Sequence, residues 1–488
     1  MIPSPYQQAI YAFVEDESAG NAIVEAVAGS GKTTTLVEAI RRVPFGASAI
    51  FLAFGKAIQT ELEKRGVNAR TFHSLCYSPV LRARGAKQAE SNKLRILIDE
   101  AVDHGALEDI ERRMYGAFAD RLVRLARQAG IGCLIEDTEQ NWSDIAEHHA
   151  LELDNDRAEW GRAIAIARAL LETSNASAMV DFDDMLYFAV KDGISLPKFD
   201  VIFVDEAQDT NAIQRAILRK IMKPGSRVIA VGDPAQAIYG FRGADSNSMN
   251  LIAEEFNCKR LPLTVSYRCP QAVVKFAQQW VSHIEPAEGA AEGSVAFKGD
   301  QFKVEDFVAG DLIVCRTTKP LVSLAYRCMK SRIPAKIMGR EIGAGLASLI
   351  KKLNAKGIDA LAERLQVYTN REVEKAIAKK QEAKAEAAQD RCDAIMFLIA
   401  SLQETNRTVP ALLALIESLF SDAVASVTLA TIHKAKGLEA ARVYWLNSSQ
   451  CPSKWAKQEW QVQQEMNLCY VAATRAKSEL ILIEETRK

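Results

Sequence analysis

The feature that most constrains this chain is a short glycine-rich turn, Gly29-Ser30-Gly31-Lys32-Thr33, set between an apolar run and a helical one. Residues 22–28 (AIVEAVA) read as a buried strand, and TTTLVEAIRRV has the spacing of a helix that ends before Pro44. A strand feeding a helix through glycines predicts a parallel α/β sheet, whose ligands bind at the carboxyl ends of the strands. The segment Ala26-Val27-Ala28-Gly29-Ser30-Gly31-Lys32-Thr33 has the form of a phosphate-binding loop, with alanine where the simplest pattern writes its first glycine. Gly29 and Gly31 let backbone N–H groups turn inward around phosphate oxygens, and the helix that starts there points its positive end at the same anion. Lys32 is then placed to reach the β- and γ-phosphates, and the Thr33 hydroxyl to ligate Mg2+. The candidate nucleotide-binding residues here are Ala28, Gly29, Ser30, Gly31, Lys32, Thr33 and Thr34.

Further runs extend the pattern. SAIFLAF (48–54) reads as a strand leading into the helix KAIQTELEKRG, and DVIFVD (200–205) and RVIAVGD (227–233) are short branched runs ending in a carboxylate. A second set, DLIVCR (311–316), AKIMG (335–339), RVYWLN (442–447) and ELILIE (479–484), predicts a second α/β domain. Two long helical stretches, about 79–178 and 346–424, interrupt the sheets, and within the second REVEKAIAKKQEAKAEAAQDR reads as an exposed helix supported by i,i+4 charge pairs.

Asp205-Glu206 completes the hydrolytic chemistry. A strand-terminal aspartate can hold magnesium, and the adjacent glutamate can orient and deprotonate the attacking water. On its own a DE pair after a strand says little, but with a phosphate loop upstream it points to ATP hydrolysis.

Composition adds mainly exclusions. At 488 residues the chain exceeds one hydrophobic core, and no apolar run approaches the roughly 18 residues that span a bilayer. The N-terminus lacks the charged and apolar regions of a signal peptide, and the nine scattered cysteines, none in CxxC spacing, read as free thiols in a reducing cytoplasm. With 61 basic and 62 acidic residues there is no global field to draw in a polyanion. A local patch is offered by residues 312–340, where Arg316, Lys319, Arg327, Lys330, Arg332, Lys336 and Arg340 occur with no acidic residue among them.

The chain resembles the UvrD/Rep-type superfamily 1 helicases. VDEAQDTN (204–211) and VGDPAQAIYGFRGA (231–244) resemble their motifs II and III, LTVSYRCP (263–270) motif IV, and TIHKAKGLE (431–439) and YVAATRAK (470–477) motifs V and VI. SPYQQA (4–9) resembles the Q motif, FLAFGKA (51–57) motif Ia, and RTFHSLCY (70–77) motif Ib, all in family order. The resemblance implies two RecA-like domains with parallel sheets, each interrupted by a mainly helical insertion. Its boundaries would be 1–78 and 179–262 for the first domain, 79–178 for its insertion, 263–345 and 425–488 for the second, and 346–424 for the other insertion.

Carried over by position, Gln7 would recognise adenine, Tyr267 would stack on its ring and Glu439 would contact the ribose. Gln236 would sense the γ-phosphate, and Arg268 and Arg475 would act as arginine fingers, completing with Lys32 and Glu206 the catalytic set in a cleft between the domains. Phe54, Phe72, Tyr239 and Phe241 would stack bases of a strand track, with His73 and His433 beside it. ATP and Mg2+ are the implied cofactors. Single-stranded DNA and its junctions with duplex are the implied partners, with 3′-to-5′ movement by a soluble cytoplasmic monomer in a bacterial or phage-infected cell.

There are departures from the family pattern. Gly55 stands where asparagine is common, Pro234 and Ala235 replace acidic residues of motif III, and the second insertion is short. The compact plan resembles phage-type members and the helicase part of F-box helicases without an F-box, and with only SELILIEETRK after motif VI an appended nuclease domain is not expected. Rival readings are a translocase that displaces proteins from DNA, a nucleotide-switched binding protein, and a small-molecule kinase. The complete hydrolytic set opposes the second, and the paired arginines and aromatic track oppose the third.

Overall fold

The strands form where branched and apolar residues run for four to six positions between glycine, proline and charge, and helices form between them. In a computed structural model, which describes residues 3–149, 151, 153, 158–238, 247–378, 382–420, 427–456 and 458–485, the chain divides into two units. One comprises Met1–Ala26 and Gly31–Leu263, the other Val27–Ser30 and Thr264–Lys488.

The first unit is built on a six-stranded sheet of β1 (Ala22–Ala26), β2 (Ala49–Leu52), β3 (Ala69–Arg70), β4 (Phe199–Val204), β5 (Met222–Gly232) and β6 (Lys259–Leu263), in the order β3-β2-β4-β5-β1-β6. Its pairings are parallel throughout. The central strands are therefore buried on both faces, and β1, β2 and β4 carry consecutive buried apolar residues (AIV, IFL and VIFV) rather than alternation. Between β3 and β4 lie the helices Phe72–Arg84, Lys93–Asp103, Asp109–Ala129, Glu139–His148, Trp160–Ala176 and Phe182–Lys191. Their apolar faces share one core with one side of the sheet, including Ile50, Leu52, Leu122, Trp142 and Phe188.

Inside that helical region four charges are fully buried. Lys93 Nζ donates to Asp184 Oδ2 at 2.7 Å and to the Ser174 carbonyl at 2.8 Å, and Arg127 Nη1 donates to Asp181 Oδ2 at 2.8 Å. Two cations and two carboxylates cancel, which is the condition under which such groups tolerate removal from water. Asp181 and Asp184 also form the capping box of helix Phe182–Lys191, so the network fixes where that helix begins.

The second unit has a small parallel pair, β7 (Val265–Ser266) with β8 (Glu285–Pro286), and a second six-stranded sheet. Its strands are β9 (Ser294–Gly299), β10 (Leu312–Cys315), β11 (Ala335–Ile337), β12 (Val427–Thr431), β13 (Ala440–Leu446) and β14 (Ala476–Ile483), again all parallel, in the order β11-β12-β10-β13-β14-β9. Two parallel α/β sheets are the architecture the strand pattern predicts. Helices Arg340–Leu353, Ile358–Ala378, Glu382–Ser401 and Val409–Leu419 lie between β11 and β12.

Two sequence expectations are corrected here. The charged segment 371–391 is divided between two helices, and the second buries Ala385, Ala388, Cys392 and Ile395. Ala385 and Ala388 are packing residues, and Glu386 and Asp390 are tethers. Asp390 accepts from the backbone N–H groups of Thr318 and Lys319, both at 2.8 Å, capping helix Lys319–Lys330 from a different helix, and Glu386 accepts from Ser453 Oγ at 2.9 Å. The basic run 312–340 is likewise not one open patch. Arg316 makes a forked ion pair with buried Glu465, with Nη2 2.6 Å from Oε1, because an acid distant in sequence supplies the charge that the local segment lacks. Among the described residues no helix is long and apolar enough to cross a membrane.

Replacing Lys93 by methionine keeps the volume but leaves the buried carboxylates with one cation. This substitution is expected to destabilise the first unit by about 3–5 kcal/mol, read as a lowered unfolding midpoint in urea by circular dichroism.

Candidate functional site: a phosphate loop and three strand ends

A parallel sheet sends all its carboxyl ends to one edge, and in the order β4-β5-β1 three adjacent strands deliver polar residues there. β1 runs into the glycine loop, in which Gly29 (φ 73°) and Gly31 (φ 77°) take the left-handed conformation. Gly29 is further required by space: a Cβ there would lie 2.5 Å from Arg268 Cβ and 2.8 Å from Ser266 Oγ. Helix Lys32–Ile40 begins on Gly31 with no side-chain cap, so its first N–H groups are open to an anion. Ser30 is buried, and its hydroxyl has no hydrogen-bond partner among the described residues. These features suit a phosphate. The Ala28 N–H donates to the Tyr470 hydroxyl at 2.8 Å, and the Tyr267 N–H to the Gly29 carbonyl at 2.8 Å.

β4 ends at Asp205 and Glu206. The Thr33 hydroxyl donates to Asp205 Oδ2 at 2.8 Å, and Lys32 Nζ stands 4.0 Å from Glu206 Oε1. Burial, together with the neighbouring Glu206, pushes the Asp205 carboxyl up to about 6 against the partial relief of Lys32 and Thr33. A buried carboxylate and a hydroxyl are hard oxygen donors that fit Mg2+, and a divalent cation would offset the charge that burial penalises. Glu206 itself sits at φ 50°, ψ 43°, a left-handed backbone that a non-glycine residue adopts only when its surroundings impose it.

β5 ends at Asp233, whose carboxyl is raised by burial and whose Oδ2 accepts from Gln236 Nε2 at 2.6 Å. Gln7 is buried beside the loop, its Nε2 donating to Thr35 Oγ1 at 2.9 Å. It also belongs to the capping box that starts helix Pro5–Glu15 on Ser4. Lys32, Thr33, Asp205, Glu206 and Gln236 therefore meet at one edge of one sheet.

In the second unit the remaining predicted residues gather at the amino ends of β13 and β14. Arg268 Nε donates to Glu439 Oε2 at 2.7 Å, and Lys477 pairs with the same carboxylate. Burial would raise the Glu439 carboxyl, but the hydrogen bonds from Lys477 and Arg268 outweigh it and hold it below the usual range. Arg475 is buried, its Nε donating to the Val471 carbonyl at 2.9 Å and its Nη1 to the Leu438 carbonyl at 3.3 Å. His433 is half-buried just beyond β12, in a groove with Thr431 and Arg316.

The predicted strand track divides. Phe54 is 45% exposed and lines a groove with His73, Gln128, Leu186, Asn211 and Gln214. Burial holds His73 below the ordinary histidine range, against the opposing charge of Asp183. Phe72 is a correction: it is 4% exposed and packs in the core, because the first residue of its helix turns inward while His73 faces the groove. Tyr239 and Phe241 lie outside the described residues. Phe182 was not among the sequence candidates. It is 57% exposed, and its ring centroid lies 6.1 Å from that of His73. The available signal was its setting, one aromatic among the acids of Asp181-Phe182-Asp183-Asp184.

Comparison with known proteins decides the family. The family model for the UvrD/REP helicase N-terminal domain matches residues 54–257, and that for the UvrD-like helicase C-terminal domain matches residues 345–487. The chain belongs to the UvrD/Rep helicase family. Relatives include F-box DNA helicase protein 1 of Schizosaccharomyces pombe, 26% identical across 95% of this chain and 56% of that protein. ATP-dependent DNA helicase Rep of Salmonella typhimurium is 25% identical across 69% of this chain and 55% of its own length. DNA helicase II of Haemophilus influenzae is 26% identical across 58% and 41% respectively. This UvrD/Rep member thus spans about half the length of the curated relatives it matches.

The raised Asp205 carboxyl has a thermodynamic consequence. A folded value above the unfolded one means that stability falls as pH rises through the window from about 4 to about 6. In metal-free protein, Asp205→Asn is expected to raise stability by about 2 kcal/mol above pH 6 and by little below pH 4. Thermal melts across that range, with and without Mg2+, measure the difference.

Proposed function

We propose that this chain is an ATP-hydrolysing motor that moves along single-stranded DNA and separates duplex. The observation that carries this is the convergence of Lys32 and Thr33, Asp205 and Glu206, and Asp233 and Gln236 on the ends of three neighbouring parallel strands. In this reading the glycine loop and Lys32 hold the β- and γ-phosphates, with Gln7 and Tyr267 on the base and Glu439 on the ribose. Thr33 and Asp205 would hold Mg2+, which when bound offsets the charge of the phosphate oxygens. Glu206 takes a proton from the attacking water as its oxygen bonds to the γ-phosphorus. The bond from that phosphorus to the β-bridging oxygen breaks, giving ADP and phosphate.

Arg268 and Arg475 spread positive charge over the transferring group from the other domain. For Arg475 this requires release from the carbonyls of Val471 and Leu438, and Arg268 would exchange Glu439 for phosphate. Gln236 reports the γ-phosphate to the segment that follows it. We assign the four-part division given above, with boundaries near 78, 178, 262, 345 and 424, to two motor domains and their insertions.

The strand would run over Phe54, His73 and Phe182 in the first domain and past His433 in the second. Stacking on rings holds any base without reading sequence, at roughly 1–3 kcal/mol per base. We propose 3′-to-5′ movement, which unwinding restricted to substrates with 5′ tails would overturn.

Steady-state ATP hydrolysis with and without single-stranded DNA tests the motor. A DNA-dependent rise is expected, with kcat reduced by about 100-fold or more in Glu206→Gln; hydrolysis indifferent to DNA would leave an ATPase of another kind. Phe182→Ala is expected to weaken binding of a fluorescent oligonucleotide by about 5- to 100-fold while sparing DNA-free hydrolysis. Fluorescence anisotropy gives the comparison.

A further inference from the structure

Gln208 is buried two residues past Glu206, and its side-chain amide is committed at both ends. Its Oε1 accepts from the Asp233 backbone N–H at 3.0 Å. Its Nε2 donates to Glu206 Oε2 and lies 3.5 Å from Asp209 Oδ2. A backbone N–H can only donate and a carboxylate can only accept, so the amide has one permitted orientation. The approach is close enough to dictate a second residue. A Cβ on Gly232, the last residue of β5, would lie 2.6 Å from Gln208 Oε1 and 3.0 Å from Gln208 N. One side chain thus bridges the end of β4 to the end of β5, and the segment it reaches carries Asp233 and its partner Gln236.

We propose that Gln208 is a positioning residue that holds the Glu206 carboxylate in its working rotamer and ties it to the Asp233–Gln236 segment. The inference rests on the reading of Glu206 as general base. A glutamate has three rotatable side-chain bonds, and Lys32 at 4.0 Å is too far to fix it by a hydrogen bond. Gln208 donates a hydrogen bond to the Glu206 carboxylate. Because its other end is anchored on the backbone leading to Gln236, a shift of that segment moves the base as well. Asn at position 208 would be one methylene short of spanning both partners.

The test is a double-mutant cycle on the full chain. Gln208→Met, close in volume and without polar ends, and Gln208→Glu, which keeps the acceptor for the Asp233 N–H but sets a carboxylate oxygen against Glu206, are each made with wild-type Glu206 and with Glu206→Gln. Single-turnover ATP hydrolysis, binding of a fluorescent ADP analogue and thermal melting are recorded for all. With wild-type Glu206, both substitutions are expected to lower the hydrolysis rate by about 10- to 100-fold while nucleotide affinity stays within about twofold. In the Glu206→Gln background they are expected to change the residual rate by less than about twofold, since the group being positioned is gone.

Equal losses in both backgrounds, or losses that track nucleotide affinity, would show that Gln208 only supports the fold. An unchanged rate with wild-type Glu206 would equally overturn the proposal. If wild type and Glu206→Gln hydrolyse ATP alike, the general-base reading has failed, and the positioning role falls with it. Should Gln208→Met fail to fold, Gln208→Glu carries the cycle alone.

Discussion

The architecture depends on the parallel pairing of β4, β5 and β1. Parallel register puts residues of like rank side by side, so the first residue beyond each strand arrives at the same edge of the sheet: the loop after Ala26, Asp205 after Val204 and Asp233 after Gly232. No long-range side-chain contact is needed to collect them. What the side chains add is local definition, through the Thr33 hydroxyl on Asp205 and the Gln236 amide on Asp233.

Those local features run against ordinary backbone and solvation preferences, and this is informative. Glu206 is held in a left-handed conformation, Asp205 is kept from water with its carboxyl raised, and Ser30 is buried with its hydroxyl unmet among the described residues. Each is costly in the isolated protein. All three occur within the loop and strand ends that would surround a magnesium-bound triphosphate. Such unfavourable local states are retained where a ligand relieves them.

Much of the fold was legible because central parallel strands are buried on both faces and announce themselves as unbroken apolar runs. The edges were not. β6 contains Pro262 and mixes exposed with buried residues, and β9 buries none of its six residues, so neither carries the apolar signal of an interior strand. At the site, residue types with dedicated chemistry could be read directly, as with Lys32, Asp205 and Glu206. The environment of an aromatic could not: Phe54 and Phe72 look alike in sequence, yet one lines a groove and the other fills the core. Phe182 escaped for the converse reason: it is exposed although its neighbours Asp181 and Asp184 are buried in a charge network with residues of other helices. Arg316 shows the same limit for charge, because its partner Glu465 lies far along the chain.

The tethering of helix Glu382–Ser401 bears on how this protein can change in length. Asp390 caps another helix through two backbone N–H groups, and Glu386 reaches Ser453 one turn away. Both acids must keep their facing, and deleting a single residue N-terminal to them within the helix would turn them by about 100° relative to the rest. Growth or loss of sequence is therefore constrained at the end of the helix nearest its acids, which begins at Glu382, because Glu386 stands only one turn inside it. An arm fastened so close to its own beginning can change the residues of its exposed face, but not its length there, without disturbing the groups it holds.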